Sequence, residues 1–113
     1  MTIRKFHIYL ADLNPSFGTE PGKTRPVVVI QTDLLNNEHP STVVFPITTN
    51  VKNESSILRV HLTENESGLK KSSDILVDQI RAIDNRRFVK EIGKLSNSHK
   101  ELLVKNIKTL LFE

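Results

Sequence analysis

Several polar side chains stand at the ends of apolar runs, where a folded sheet could bring them together. Arg25 precedes the run that starts at Pro26, and Thr48 and Thr49 follow the run that ends at Ile47. A guanidinium offers a planar fork of donors that matches two phosphate oxygens, and a threonine hydroxyl can donate to a non-bridging oxygen. These residue types suit phosphodiester chemistry. Polar residues at strand ends can also be the solvated rim of a sheet, so spacing alone leaves both interpretations open.

A long polar segment and an interrupted apolar run hold the other candidates. Residues 14–24 contain two prolines and two glycines, which predicts a loop, and loops longer than a hairpin turn are often binding or lid loops. Glu20 and Lys23 lie in this segment. The residues that interrupt or follow the later apolar run are Asp78, Gln79 and Arg81. The same two interpretations, site or rim, apply to all of them.

Metal and cofactor chemistry are not expected. The chain has no cysteine, and its histidines (His7, His39, His61 and His99) show no metal-binding spacing. Asp74 and Asp78 could share one face of a strand, but a lone pair of carboxylates is weak evidence for a metal. Glycine-rich phosphate loops and a GxSxG nucleophile motif are also missing. Nothing links any two histidines as an acid–base pair.

The hydrophobic pattern predicts one mainly β (α+β) domain, residues 1–113, with strands followed by a single helix. Alternation or β-branched runs predict strands over 5–13, 25–33, 42–50, 55–63 and 73–84. From about residue 97 the period changes, and Leu103, Ile107, Leu110 and Leu111 fall on one helical face. Ser98 and Glu101 fit a capping box, with Ser96 as the rival N-cap. Short strands with polar joints predict a small, strongly bent sheet or barrel.

The charge, the hydropathy and the absence of cysteine fit a cytoplasmic protein and permit an anionic partner. The formal net charge is +3, which permits nucleic acid binding but is also ordinary for a soluble domain. The first ten residues do not read as a signal peptide, because their apolar run is short and contains Lys5 and His7. No stretch approaches the roughly 20 apolar residues that span a bilayer, so no membrane association is expected.

Read together, the candidate residues fall within segments that resemble one known family. The segments are YLADLNPSFGTEPGKTRPVVVIQTD (9–33), PITTN (46–50), DQIRAIDNRRF (78–88) and IGKLS (92–96). They occur in the order and spacing of the MazF/PemK toxin endoribonucleases, and the first segment is the most specific. The resemblance covers nearly the whole chain, including the closing helix.

This resemblance implies an SH3-like β-barrel, a homodimer and an enzyme that cuts single-stranded RNA at short sequences without metal. The products are a 2′,3′-cyclic phosphate and a 5′-hydroxyl, and an antitoxin with an acidic, extended segment blocks the RNA groove. It implies that Arg25 and Thr48 are catalytic, while Glu20 and Asp78 are alternatives for the base or for an orienting role. The expected RNA contacts are Phe17, Thr19, Lys23, Thr49, Gln79 and Arg81. Phe17 could instead be a loop anchor tucked into the core.

The sequence departs from the family pattern in two places. Phe6 and His7 occupy positions where members commonly have Gly-Asp, and Leu76 stands where some relatives carry an arginine. Because those relatives use that arginine in the chemistry, its absence here leaves more of the catalytic role to Arg25. A related gyrase poison of the CcdB type relies on a C-terminal Trp-Gly-Ile ending, which this chain lacks. An inactive RNA-binding relative is the remaining alternative, and the presence of both Arg25 and Thr48 gives no reason to prefer it.

Overall fold

A computed structural model describes residues 1–15, 17–20 and 23–113. The strands are β1 (His7–Asp12), β2 (Thr24–Val29), β3 (Ser41–Thr48), β4 (Arg59–Leu62), β5 (Ser73–Leu76), β6 (Arg81–Asp84) and β7 (Phe88–Lys94). Short 3₁₀ turns occupy Val77–Gln79 and Asn85–Arg87, and one helix, α1, spans Asn97–Phe112. No helix in this part of the chain is long and apolar enough to cross a membrane.

The strands form one antiparallel sheet in the order β4-β5-β3-β2-β1-β7, and β6 also pairs with β3. Within the described ranges the two end strands, β4 and β7, do not pair with each other, so the barrel is open on that side. The prediction of a small, bent antiparallel sheet followed by a C-terminal helix is confirmed.

The predicted strand over 73–84 is wrong as a continuous element, because three residues are extruded from it. β5 and β6 lie along the same edge of β3, where Ile47 pairs with Ile75 and Val44 pairs with Arg81. Between these two pairs β3 advances by three residues, from Val44 to Ile47, whereas its partner chain advances by six, from Ile75 to Arg81. The three extra residues form the 3₁₀ turn Val77–Gln79, which projects from the ladder between two fixed registers.

Other predicted strands are longer than the observed ones. Residues 55–58 precede β4, and residues 30–33 follow β2. β7 was not predicted as a strand, because its sequence mixes charged and apolar residues without a clean alternation. Its pairing with β1 contains two register shifts. A strand with such irregular pairing lacks the strict alternation of apolar and polar residues by which strands are predicted from sequence.

Both faces of the central sheet are buried, as the β-branched run in β2 predicts. One face packs under α1 through residues such as Ile8, Val28 and Phe45, with Leu103 from the helix. The other face buries alternate residues, including Tyr9 and Val27. Successive strand residues point to opposite faces, so this alternation determines which side chains face away from the helix-covered core.

Helix α1 begins at the rival cap, and the predicted capping box is wrong. Ser96 is the N-cap, and its hydroxyl accepts a hydrogen bond of 3.3 Å from the His99 amide. Leu103 is fully buried as predicted, whereas Leu111 is half exposed although the neighbouring Leu110 packs against the core. The buried Asn106 donates its side-chain amide to the carbonyls of Ser56 (3.1 Å) and Arg59 (3.4 Å).

Two glycines allow the turn after β4 to pack directly on β7, beside the open side of the barrel. A Cβ on Gly93 would overlap the Ser67 carbonyl oxygen, and a Cβ on Gly68 would overlap the Ile92 carbonyl oxygen. Gly68 also has a φ of +84°, a conformation that favours glycine. Backbone-to-backbone packing therefore joins the two ends of the sheet where a hydrogen-bond ladder is missing from the described structure.

We expect Gly93→Ala to destabilise the fold, because the obstructing Ser67 carbonyl is backbone and cannot rotate away. Overpacking of this kind costs about 1–3 kcal/mol, equivalent to a fall in Tm of roughly 10 °C in a domain of this size. Thermal unfolding measures the change. Gly18→Ala is the matched control, since a Cβ there meets no described atom within 4 Å and the unfavourable feature is its positive φ. A Tm of Gly93→Ala equal to that of the wild type would contradict the packing argument.

Candidate active site

Arg25 and Thr48 occupy corresponding positions on neighbouring strands. β2 pairs with β3 so that Val27 lies opposite Pro46. Continuing that register by two residues places Arg25 opposite Thr48. Directly opposed residues of an antiparallel pair point to the same face. The two side chains predicted to be catalytic, both half-buried, therefore stand at the same level of the sheet and on the same face.

The same row of residues extends across five strands. Ala11 lies opposite Arg25, Thr48 lies opposite Asp74, and Asp74 lies opposite His61. The neighbours of these residues along the chain, such as Ile47, Val60 and Ile75, belong to the core under α1. The row therefore faces away from that core. We call it the active row: Ala11, Arg25, Thr48, Asp74 and His61.

The Thr48 hydroxyl is held by the chain that follows it. The backbone N–H of Asn50 donates to Thr48 Oγ1 (3.1 Å), and Arg59 Nη1 donates to the Asn50 carbonyl (2.8 Å). Because the threonine oxygen accepts this bond, its own hydrogen remains available to donate. Arg59 thus positions the group that would bond to a phosphate oxygen.

Asp74 is a fully buried carboxylate at the centre of a hydrogen-bond cluster. It accepts from the Lys52 amide (2.9 Å), Arg59 Nη1 (2.9 Å) and His61 Nδ1 (2.6 Å). Burial raises the pKa of Asp74, but the hydrogen bonds from Lys52, His61 and Arg59 together lower it further, so the pKa lies below its ordinary value. The residue is therefore a fixed negative charge with its oxygens occupied, which does not suit a general base.

The idea that Asp74 and Asp78 share a strand face is wrong. Asp74 lies in β5, whereas Asp78 is exposed in the extruded turn. Among the described residues, no three His, Cys, Asp or Glu side chains are grouped closely enough to hold a metal ion. Metal independence stays a prediction.

The extruded turn and the loop before β2 bring three predicted site residues into one cavity. Thr19, Asp78 and Gln79 line a pocket of about 290 Å³ together with residues from the chain between β3 and β4. Leu76, the position at which some relatives carry an arginine, lines it too. The cavity wall therefore combines a hydroxyl, an amide and a carboxylate, groups that can donate to or accept from a nucleobase edge.

The loop before β2 places other predicted residues outside this cavity. Glu20 Oε1 accepts from the Phe17 amide, and the Glu20 amide donates to the Phe17 carbonyl, both at 3.0 Å. The Phe17 side chain is exposed, so the alternative of a core anchor is wrong and the ring is open for stacking. The exposed Lys23 has a φ of +63°, and its amide donates to Asn14 Oδ1 (2.7 Å).

The two remaining predicted RNA contacts differ in their surroundings. Thr49 is exposed just beyond β3, and its carbonyl accepts from the Val51 amide (3.0 Å). Arg81 lies opposite Val44 at the start of β6. Its Nη1 is buried and has no hydrogen-bond partner within the described part of the structure. A buried guanidinium nitrogen with unused donors is suited to an incoming acceptor.

A model of one protein family matches almost the entire chain. The family is described as a PemK-like, MazF-like toxin of type II toxin–antitoxin systems, and its model covers residues 4–111. The chain belongs to this toxin family. The resemblance inferred from the sequence is therefore confirmed.

Curated relatives and solved structures agree with membership of the PemK/MazF-like family. Endoribonuclease MazF of Staphylococcus epidermidis is 38% identical over 96 residues, which cover 85% of this chain and 80% of the relative. Endoribonuclease EndoA of Bacillus subtilis (strain 168) is 35% identical over 97 residues, covering 86% and 84%. The crystal structure of MazF (Form-I) from Deinococcus radiodurans superposes with a TM-score of 0.83 at 19% identity, covering 100% and 99% of the two chains, so the fold is shared.

Sequence reasoning missed four polar residues that organise this toxin-family site. Arg59, His61 and Asp74 form the buried cluster, and Arg87 Nη1 donates to the backbone carbonyls of Asp12 and Asn14 where the loop before β2 begins. The alternation in Arg59–Leu62 was the available signal, because it sets the arginine and histidine on one face. The sequence did not reveal that Asp74 would lie opposite them.

Proposed function

We propose that this toxin-family endoribonuclease cuts single-stranded RNA at short sequences, without metal, by attack of a 2′-hydroxyl on the adjacent phosphate. The 2′-oxygen loses its proton and bonds to phosphorus, the bond to the 5′-oxygen breaks, and that oxygen takes up a proton. The products are a 2′,3′-cyclic phosphate and a 5′-hydroxyl. The pairing register that sets Arg25 opposite Thr48 carries the proposal.

Arg25 and Thr48 stabilise the charge that develops on the phosphorane. The guanidinium fork binds two phosphate oxygens, and the Thr48 hydroxyl donates to a non-bridging oxygen. Arginine is a poor proton donor at neutral pH because its pKa exceeds about 12, so its role is electrostatic. The proton acceptor is Glu20 or Asp78: the first is tied to the Phe17 amide, and the second lines the cavity.

RNA specificity comes from the loop before β2 and from the extruded turn. The exposed Phe17 ring stacks on a base, and Thr19 and Gln79 bond to base edges in the cavity. Lys23, Thr49 and Arg81 contact the backbone, and the buried Nη1 of Arg81 supplies unused donors.

The toxin acts in the bacterial cytoplasm as a homodimer that a cognate antitoxin neutralises. Solved structures related in fold include MazE-MazF (Form-II) from Deinococcus radiodurans and an endoribonuclease in complex with its cognate antitoxin from mycobacterial species. These complexes support an antitoxin partner for this chain. An acidic, extended antitoxin segment would suit a groove that contains Arg25, Lys23 and Arg81.

Cleavage of a long unstructured RNA in EDTA tests the proposed function. We expect discrete cuts in EDTA, unchanged by added Mg²⁺, and fragments that carry 2′,3′-cyclic phosphate ends. An all-DNA copy of the same sequence is the control, because it lacks the attacking 2′-hydroxyl and must stay intact. RNA left whole both in EDTA and in Mg²⁺ by the folded protein would overturn the proposal, and inhibition of gyrase would then be measured.

A further inference from the structure

The chain between β3 and β4, residues 49–58, is held in place by side chains of the sheet and helix. We call it the groove segment. Asp74 accepts from the Lys52 amide, Arg59 donates to the Asn50 carbonyl, and His61 Nε2 lies 3.0 Å from the Ser55 carbonyl. From the helix, Asn106 donates to the Ser56 carbonyl. Four side chains thus fix the backbone of a segment that has no strand or helix of its own.

The groove segment forms one wall of the cavity beside the active row. Lys52, Ser55 and Leu58 face Asp78 and Gln79 across it. The segment also begins directly after Thr48, whose hydroxyl it holds through Asn50. Any loosening of the segment therefore widens the cavity in which we place the RNA bases.

The His61 ring makes two contacts that both require it to donate. Nε2 faces the Ser55 carbonyl, which can only accept, and Nδ1 lies 2.6 Å from an Asp74 oxygen. The hydrogen bonds to Asp74 hold the pKa of that carboxyl below its ordinary value, so it too is an acceptor near neutral pH. A neutral imidazole has only one N–H. Both contacts are satisfied only when the ring is doubly protonated.

Charged groups of two strands and of the groove segment lie around the ring. Asp74 of β5 touches it directly, and Arg59, which lies in β4 as His61 does, is bonded to the other Asp74 oxygen. From the groove segment, Lys52 contributes its backbone amide to Asp74, and Glu54 is adjacent to Ser55 in sequence. About a third of the His61 side chain is exposed, so the ring is in contact with solvent.

We propose that His61 is a positioning residue for RNA binding: in its doubly protonated form it ties the groove segment to Asp74, and its deprotonation loosens the cavity wall. This proposal rests on the proposed function, because it assigns the cavity to RNA. The reaction chemistry is unaffected, since His61 contacts the segment at Ser55, whereas Asn50 keeps its own bonds to Thr48 and Arg59. The expected effect is on RNA affinity and KM, with kcat nearly unchanged at each pH.

Binding of an uncleavable RNA as a function of pH tests the proposal. The probe is a 2′-O-methylated oligonucleotide that spans a mapped cut site, and its Kd is measured from about pH 6 to about pH 8.5, the range in which imidazoles titrate. For the wild type we expect Kd to rise about five- to tenfold across this range, which is the net contribution of one ordinary hydrogen bond. His61→Lys, which stays charged throughout, and His61→Asn, which stays neutral, should both lose this pH dependence of the Kd. His39→Gln, at an exposed histidine away from the cavity, is the control.

A wild-type pH profile retained in both His61 variants overturns the proposal. Should the variants not fold, ¹⁵N NMR of the wild-type imidazoles replaces them. His61 should then carry two N–H groups at about pH 6 and lose one on titration, with the groove-segment amide shifts moving at the same midpoint. A neutral ring at about pH 6, or amides that do not follow it, overturns the proposal. A wild type that binds no RNA at any pH contradicts the proposed function instead. The NMR titration would then still report whether His61 holds the groove segment to Asp74.

Discussion

Replacing Arg25 with alanine will lower kcat/KM for RNA cleavage by about 10³-fold and leave the fold intact. The reason is electrostatic: the substitution removes the planar donor fork from the row position opposite Thr48, and preorganised donors of this kind are worth about 10²–10³ in rate, more for an arginine acting on a transferring phosphoryl group. Arg25 is only half-buried and stands at the start of β2, so stability should change little. Single-turnover cleavage of a mapped substrate, with thermal unfolding alongside, gives both quantities.

Two further variants identify the cause of the Arg25 effect. Arg25→Lys keeps the charge but loses the bidentate geometry, so it should recover only part of the activity. Arg86→Ala is the matched control, because that side chain is 91% exposed and pairs with the nearby Asp84 in a surface ion pair. Full activity in Arg25→Lys would show that charge alone matters. A kcat/KM in Arg25→Ala within tenfold of the wild type would remove this residue from the chemistry.

Replacing Thr48 with valine will reduce kcat by about 10²–10³-fold, because it deletes the hydroxyl at nearly constant shape. The loss should appear in kcat more than in KM, since the bond to the phosphate oxygen strengthens as charge develops. The Asn50 amide, which donates to Thr48 Oγ1, also loses its acceptor. Pre-steady-state cleavage at saturating RNA measures the chemical step.

Thr49→Val serves as the neighbouring control, because Thr49 is exposed beyond the strand end and is proposed only to contact RNA. Its effect should be confined to KM. Thr48→Ser, which retains the hydroxyl, should recover most of the activity. The reverse pattern, with Thr49→Val inactive and Thr48→Val active, would exchange the roles of the two threonines.

The central sheet and the helix were predictable from sequence because their side chains follow regular periods. The β-branched run of β2 predicts a strand buried on both faces, and Val27 and Val28 do lie in opposite cores. Leu103 marks the buried face of α1. The two catalytic candidates came from the family resemblance, and their common level in the sheet depends on the β2–β3 register, which the hydrophobic pattern alone does not define.

The parts that the sequence did not predict depend on pairings between distant residues. The apolar run around Val77 reads as continuous strand, and only the registers on either side, at Ile75 and Arg81, show that three residues are extruded. The Asp74 cluster likewise joins β4 and β5, whose residues lie 13 positions apart at His61 and Asp74. A residue-by-residue pattern carries no information about which polar groups will meet across strands.

Under the proposed function, the extruded turn separates the residues that recognise RNA from the strand pairings that hold the fold. Ladder pairs on both sides hold the flanking strands, so substitutions at Asp78 and Gln79 change the groups offered to a base without shifting either register. Only Val77 of the three is buried. Related toxins could therefore differ in target sequence while they keep the same scaffold. Exchange of this three-residue turn is the smallest graft by which one toxin would acquire the cleavage sequence of another.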